Sequence, residues 1–358
     1  MKFLTEYRNP ELVKYYLSEI EKTVTKPWNI MEICGGQTHS LVKNGLLDLL
    51  PENVRMIHGP GCPVCVTPIS LIDKAVALME KGAVLCSFGD MVRVPGSKKS
   101  LLQAKADGGD LRILYSPLEA VQIAEKNPEK EVVFFAVGFE TTAPSNALSV
   151  VHAQKLGLNN FSLLVSHVLV PPAMEAILDD KFCKINAFLG AGHVNTIMGL
   201  KEYHPIAKKY KIPIVVSGFE PADLLQAIYH AVLQLEKGEY KVENCYERLV
   251  KEEGNVPAQN VVNEIFEIGE QEWRGIGKIP ESGLVMKEKY AEFDASRKFD
   301  ISNSVNKQEN LCIAGEILKG IKKPVECPQF GKTCNPGNPL GAPMVSSEGA
   351  CAAYYHYS

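Results

Sequence analysis

Four widely spaced cysteines occupy the C-terminal part of this 358-residue chain. Their spacing is C-x14-C-x6-C-x16-C, and they are Cys312, Cys327, Cys334 and Cys351. Structural zinc sites generally use two close pairs, such as C-x2-C, and this segment contains no such pair. Four thiolates from separate loops suit a 4Fe-4S cluster better, and the intervening prolines and glycines allow the tight bends that such loops need. Zinc and unliganded structural thiols stay open as alternatives.

A close pair of cysteines, Cys62 and Cys65, lies in the segment HGPGCPVCVTP, just before a predicted helix. Thiols at this spacing can close a small disulfide, and a helix N-terminus favours the thiolate. The motif therefore predicts a redox dithiol. Half of a zinc site is the alternative, although no second pair follows.

A third motif, MEICGGQTHS, places Cys34 at the end of the first predicted strand. Two glycines allow a tight turn into the next helix, and His39 follows five residues later. A thiolate here can act as a nucleophile or as a soft metal ligand. The alternative is a small buried residue before a glycine turn. Because Cys34 and the C-x-x-C pair both follow strands at the same edge of the predicted sheet, we expect them to share a cleft.

The composition excludes several classes of protein. Hydrophobic residues make up 46% of the chain, charged residues 22%, and the formal net charge is −4. Without a dense Lys/Arg cluster, we expect no nucleic-acid partner. No apolar run approaches the ~20 residues that span a bilayer, and the charged start is not a secretory signal, so we expect a cytoplasmic protein outside the membrane. Structural disulfides are rare in that compartment.

Apolar runs alternate with helical stretches from residue 28 to about residue 230. These runs are continuous and rich in Val, Ile and Phe, which is typical of parallel strands covered by helices on both faces. The sequence predicts an α/β fold with two similar Rossmann-like parallel-sheet domains, at 1–125 with the two N-terminal cysteine motifs and at 126–250. Residues 251–358 are predicted to form a small, partly helical and loop-rich iron–sulfur domain.

Several predicted strands end in glycine followed closely by a polar residue, as in SFGD, VGFE, GAGH and SGFE. In doubly wound sheets, ligands bind outside the carboxyl ends of the strands. We therefore expect polar residues from these ends to line a cleft, with ordinary loop positions as the alternative. The candidates are Asp90, Arg93, Glu140, Thr141, Thr142, His193 and Glu220.

Together these motifs resemble the HypD family of hydrogenase maturation factors. The resemblance covers essentially the whole chain and rests on MEICGGQTH, IHGPGCPVCVTP, FGDMVRVPGS, VGFETTAPS, GFEPADLLQ, EWRGIG and CPQFGKTCNPGNPLGAPMVSSEGACAAYY, in that order. It implies two similar α/β domains and an iron–sulfur domain. It also implies a scaffold that works with the small protein HypC, on which the Fe(CN)2CO unit of NiFe hydrogenase is assembled. Cyanide would arrive from HypE, which carries it as a thiocyanate.

The resemblance also assigns roles to cysteines of this chain. The four C-terminal cysteines would hold a 4Fe-4S cluster, and Cys34 would hold the transient iron with a second thiolate from HypC. Cys62 and Cys65 would be the redox pair that works with the cluster. His39 and Gln37 are candidate catalytic residues in the same motif as Cys34. Gln37 stands where some family members have His, so we expect it to orient a cyanide ligand by hydrogen bonding.

A rival function is an iron–sulfur oxidoreductase that reduces a disulfide of a partner protein through the CPVC pair. It needs no role for Cys34. A docking protein with a structural cluster is a third possibility, and it would tolerate loss of Cys62. For the scaffold, whether it counts as an enzyme depends on definition, since the bound iron leaves as product on its carrier. Nothing demands a stable homo-oligomer, so we expect a monomer when the chain is free.

Overall fold

The computed structural model describes residues 6–301 and 311–357. The helices are α1 (Pro10–Thr23), α2 (Gly35–Lys43), α3 (Leu46–Leu49), α4 (Pro63–Val66), α5 (Ile69–Glu80), α6 (Leu101–Ala106), α7 (Pro117–Lys126), α8 (Ala143–Lys155), α9 (Val170–Leu178), α10 (Gly192–Met198), α11 (Tyr203–Tyr210), α12 (Pro221–Lys237), α13 (Val256–Ile265), α14 (Ala295–Lys298), α15 (Ala314–Leu318) and α16 (Ala350–Tyr357). The strands are β1 (Trp28–Glu32), β2 (Val54–His58), β3 (Val84–Ser87), β4 (Leu111–Ile113), β5 (Val132–Gly138), β6 (Phe161–His167), β7 (Ala187–Ala191), β8 (Ile214–Ser217), β9 (Val242–Asn244), β10 (Phe266–Trp273) and β11 (Gly277–Met286).

Two parallel sheets form the centre of the molecule. Sheet A has the strand order β2-β1-β7-β8-β9, and sheet B has the order β4-β3-β5-β6. Every pairing within them is parallel. This confirms the predicted α/β class with parallel sheets and is consistent with two Rossmann-like domains.

The sequence analysis predicted one sheet on each side of residue 125. The strands of the two sheets are not divided in that way. The strands of sheet A come from residues 28–58 and 187–244, whereas those of sheet B come from residues 84–167. The reason is that β7 pairs with β1 on the side opposite β2, so the later part of the chain completes the first sheet. A separate unit beginning at residue 251 stays a prediction.

Helices cover both faces of sheet A, which explains its continuous apolar strands. On one face, Ile30 of β1 and Val215 of β8 pack in a cluster with residues of α1, α2 and α12. On the other face, Met31 and Phe188 pack in a cluster with residues of α9, α10 and α11. Strand β5 in sheet B is buried at every position for the same reason.

A long antiparallel hairpin, β10–β11, follows the sheets in the sequence. The sequence analysis predicted a partly helical and then irregular segment here, because the strands expose many polar residues and give a weak alternating pattern. The hairpin is anchored by Trp273, which is buried and lies 5.9 Å from the ring of Phe139. Among the described residues, no helix is long and apolar enough to cross a membrane.

Candidate functional site

Cys34 lies between the end of β1 and the start of α2, and only 1% of its surface is exposed. Its Sγ is 3.7 Å from Nδ1 of His193, which follows β7. The two residues meet because β1 and β7 are parallel neighbours whose carboxyl ends share one edge. Burial lowers the pKa of His193 to about 4, so this imidazole is neutral at physiological pH.

The CPVC loop packs directly on the main chain of Cys34. The Gly35 N–H donates to the Gly61 carbonyl at 3.0 Å, and a Cβ on Gly61 would come within 2.1 Å of the Cys34 nitrogen. Cys62 and Cys65 follow at the start of α4 and form a disulfide with Cα atoms 5.2 Å apart. The structure therefore brings the predicted dithiol and Cys34 to adjacent strand ends.

Gln37 and His39 point to different neighbours. Nε2 of buried Gln37 donates to the Gly190 carbonyl at 3.0 Å, whereas its Oε1 is without a partner in the described part of the chain. His39 lies on the other side of α2, where its Nδ1 donates to the Ser347 carbonyl at 3.0 Å. Of the two, Gln37 lies toward sheet A, and an orienting role for it stays a prediction.

The C-terminal segment closes over the glycine turn beside Cys34. A Cβ on Gly35 would lie 2.5 Å from the Cβ of Glu348, so these two segments of the chain are in direct contact. Burial raises the pKa of the Cys34 thiol well above its usual range, and the Glu348 carboxylate raises it further. At neutral pH the thiol is protonated, so a metal that binds it must displace this proton. The sequence analysis did not single out Glu348.

Asp90 and Arg93, after strand β3, contact the same C-terminal segment. Oδ2 of Asp90 accepts a hydrogen bond from the Ser346 hydroxyl at 3.2 Å. Arg93 donates to the carbonyls of Pro336 at 3.2 Å and Val345 at 3.5 Å. These two candidates hold a neighbouring piece of the chain.

The other cleft candidates have contacts away from Cys34. Oε1 of Glu140 accepts the Val170 N–H at 2.9 Å, and burial raises the pKa of this carboxyl to about 8. The Thr142 hydroxyl lies 3.3 Å from Nε2 of buried His167 in sheet B. At the surface, Glu220 forms an ion pair with Arg8 at 2.6 Å. The remaining candidate, Thr141, has a buried hydroxyl without a partner in the described residues.

The four C-terminal cysteines line one cavity. The cavity walls are otherwise mainly apolar and include Ile313, Ile317, Phe330, Leu340 and Met344. Burial raises the pKa of the Cys351 thiol, and the other three thiols around the cavity raise it further.

Backbone groups complete this cavity. The Leu340 N–H lies 3.5 Å from Sγ of Cys334, and a Cβ on Gly341 would come within 2.3 Å of Sγ of Cys312. Four thiol donors, apolar walls and an N–H directed at sulfur fit a 4Fe-4S cluster, whose ligands come from separate loops. Among the described residues, no group of three or more His, Cys, Asp or Glu side chains is arranged around one point to hold a single metal ion.

Comparison with known proteins adds a family to this geometry. The family model described as HypD, hydrogenase formation hypA family, matches residues 11–358. The chain belongs to the HypD family. It is 47% identical over 367 residues to the hydrogenase maturation factor HypD of Azotobacter vinelandii, covering all of this chain and 97% of that protein. It is 46% identical to HypD of Rhodobacter capsulatus and 45% identical to HypD of Escherichia coli, in each case over all of this chain and 98% of the relative.

This HypD-family chain contains two buried ionisable side chains that the sequence analysis missed. Glu32 is completely buried at the end of β1 and contacts the N–H of Cys34 at 3.2 Å. Arg274, at the tip of the β10–β11 hairpin, is buried and donates to the Pro95 carbonyl at 3.3 Å, while its backbone N–H donates to Val66 beside the dithiol. A charged residue inside an otherwise apolar predicted strand is the signal that could have revealed Glu32.

Proposed function

We propose that this chain is a hydrogenase maturation factor, a scaffold on which the Fe(CN)2CO unit of NiFe hydrogenase is assembled together with HypC. The relatives that support this are named hydrogenase maturation factors. The observation that carries the proposal is the position of Cys34. Its thiol lies against neutral His193 and beside the disulfide loop, at the edge where three strands of sheet A end.

Cys34 holds the iron that is being assembled, and HypC contributes a second thiolate. Thiolates are soft donors that suit low-spin iron carrying cyanide. The neutral imidazole of His193 can donate or accept a hydrogen bond beside the sulfur without adding a charge. Gln37 presents an amide oxygen that has no hydrogen-bond partner among the described residues, and it orients groups bound in this region.

The Cys62–Cys65 pair supplies electrons for the release of cyanide from HypE. Breaking the S–C bond of a thiocyanate takes two electrons: the carrier sulfur leaves as a thiol, and cyanide goes to the iron. A reduced dithiol that gives these electrons becomes the disulfide and releases two protons, one of which the carrier thiol takes. The second cyanide then requires reduction of this disulfide by an external reductant.

The cavity lined by the four C-terminal cysteines holds a 4Fe-4S cluster, and residues 251–358 form an iron–sulfur domain around it. When bound, such a cluster supplies one-electron transfer. The chain's own contribution is an apolar cavity that limits solvent access to the sulfur ligands.

A second candidate function is reduction of a partner-protein disulfide by the CPVC pair. The closed Cys62–Cys65 disulfide is compatible with it, because such a pair is the product of that reaction as well as of electron donation for cyanide release. The burial of both residues counts against it, since they are 3% and 1% exposed and an attacking sulfur must reach its target.

An infrared spectrum tests the proposal. The protein is purified without oxygen after co-production with HypC, and bands of iron-bound cyanide and carbon monoxide are measured. We expect Cys34→Ala to remove the bands while the iron and sulfide of the cluster remain. The half-buried Cys183→Ala variant, outside the site, is the control and should retain the bands. Absence of bands in parent protein with a full cluster would favour the disulfide reductase.

A further inference from the structure

A chain of buried polar side chains links the main chain of Cys34 to the C-terminal helix. The carboxylate of Glu32 accepts the N–H of Cys34 on Oε2 at 3.2 Å and, on Oε1, Nδ1–H of His58 at 2.6 Å. Nε2 of the same His58 ring lies 3.0 Å from the hydroxyl of Tyr354. With the ring proton on Nδ1, Nε2 accepts the tyrosine hydroxyl, so each group in the chain has a partner.

The three side chains lie close in sequence to all three cysteine sites. Glu32 lies two residues before Cys34, and His58 ends the strand that leads into the CPVC loop. Tyr354 lies on α16, one turn after Cys351, which lines the four-cysteine cavity.

Helix α16 also makes packing contacts with the rest of the protein, in addition to the Tyr354 hydrogen bond. The ring of Tyr357 packs edge-on against His39 of α2, with ring centres 5.3 Å apart. Tyr354 packs edge-on against His58 at 5.3 Å and shares a small apolar cluster with Val42 and Ala353. The packing of the Tyr354 ring and the hydrogen bond of its hydroxyl can therefore be separated experimentally.

We propose that Glu32, His58 and Tyr354 are positioning residues that couple the Cys34 site to the four-cysteine cavity. When ligation of Cys351 orders α16, the Tyr354 hydroxyl fixes His58, His58 fixes the Glu32 carboxylate, and the carboxylate fixes the N–H of Cys34. Loss of the cluster loosens Cys34, and so the scaffold holds iron firmly only when its cluster is in place. The consequence for iron rests on the proposed function, whereas the coupling itself does not.

Hydrogen exchange on the full-length, cluster-containing protein tests the coupling without any iron cargo. Tyr354→Phe removes only the hydroxyl, and Tyr355→Phe on the exposed side of the same helix is the matched control. We expect peptides containing Cys34 to exchange about tenfold faster in Tyr354→Phe, which corresponds to the loss of one buried hydrogen bond. Peptides from sheet B should keep the parent rate in both variants.

Two further comparisons identify a coupling rather than a local loss of structure. Removing the cluster from the parent should accelerate exchange at Cys34, whereas the same treatment should add little in Tyr354→Phe. His58→Gln combined with Tyr354→Phe should likewise be less than additive, because both break one chain. The proposal would be overturned if the exchange rate at Cys34 changed neither on loss of the Tyr354 hydroxyl nor on loss of the cluster.

The infrared experiment then separates this inference from the proposed function. In complexes with HypC, we expect Tyr354→Phe to retain the cluster and the cyanide bands, but to lose those bands about tenfold faster to an iron chelator. Unchanged release, with exchange at Cys34 unaffected, would leave the network a purely structural element. If the parent shows no bands at all, the scaffold function fails while the exchange data still decide the coupling.

Discussion

The carboxyl ends of sheets A and B have similar sequences and different neighbours. At the end of sheet A, Cys34, the CPVC loop and His193 converge within contact distance. At the end of sheet B, Asp90 and Arg93 bind the C-terminal segment. The comparison shows that the same strand-end pattern can bring side chains of neighbouring strands together or can hold a distant segment of the chain.

The largest expected effect comes from changing one glycine at each strand end. A Cβ at Gly61 would lie 2.1–2.4 Å from main-chain atoms of Ile33 and Cys34. These atoms cannot move away without separating the end of β1 from the CPVC loop. At Gly89, after β3, the nearest atom is 3.6 Å away, an ordinary contact. We expect Gly61→Ala to destabilise the fold by at least about 3 kcal/mol and Gly89→Ala by less than about 0.5 kcal/mol.

Chemical unfolding monitored by circular dichroism measures both variants. Equal stabilities for the two would contradict the close packing of sheet A's edge on the dithiol loop. Gly61→Ala should also separate Cys62 and Cys65 from Cys34, so its cyanide bands should be absent whenever folded protein is recovered.

The adjacency of Cys34 and the dithiol could be predicted from sequence, and the positions of Asp90 and Arg93 could not. The first follows from parallel strands whose carboxyl ends meet at one edge. The second depends on where the irregular C-terminal segment runs, and its sequence has no periodic pattern that fixes this path. The four cysteines line a common cavity, and metal binding by them stays a prediction.

The strand order could not be predicted from the sequence either, because it also depends on long-range packing. Strands β5 and β7 are both apolar, and each has a glycine at or directly after its end with a polar residue close behind, yet β7 joins sheet A and β5 joins sheet B. Each strand pattern is compatible with either sheet because both faces of both sheets are covered. The choice is made by long-range packing, which also explains why Glu32 and Tyr354, far apart in sequence, escaped notice as partners of His58.

A buried carboxyl just after strand β5 should give the protein a distinctive dependence of stability on pH. Burial raises the pKa of Glu140 to about 8, from an ordinary 4.5. Between these values the unfolded chain has released the proton and the native chain retains it, so stability falls as pH rises. We expect Glu140→Gln to remove this component, which has a limiting slope of about 1.4 kcal/mol per pH unit.

Unfolding free energies at several values between pH 5 and 8 test this expectation. Gln keeps an oxygen that can accept the Val170 N–H, so the hydrogen bond survives in the variant. Glu129→Gln, at an exposed position, is the control and should follow the parent curve. Parallel curves for the parent and Glu140→Gln would mean that this carboxyl is ionised in the native protein.

A smaller effect is expected where sheet B holds the C-terminal segment. Arg93 donates to the carbonyls of Pro336 and Val345, both between Cys334 and Cys351, and a lysine cannot reproduce this fork. Arg93→Lys should cost about 1 kcal/mol. In protein that carries the proposed cluster, it should also accelerate removal of iron by a chelator, which is followed by the visible absorption of the cluster. Arg55→Lys, at an exposed position of β2, is the control. Equal rates would show that this anchor does not support the cavity.

The smallest effect should come from Glu220, which the strand-end pattern placed in the cleft. Its carboxylate instead pairs with Arg8, whose side chain is 66% exposed, and exposed pairs are screened by salt. We expect Arg8→Gln and Glu220→Gln to leave the cyanide bands unchanged and to lower the thermal midpoint alike, at low salt only. Loss of the bands in Glu220→Gln but not in Arg8→Gln would mean that Glu220 belongs to the site at the end of sheet A. Both variants break the same ion pair, so only a direct role of Glu220 in holding the iron or its ligands would distinguish them.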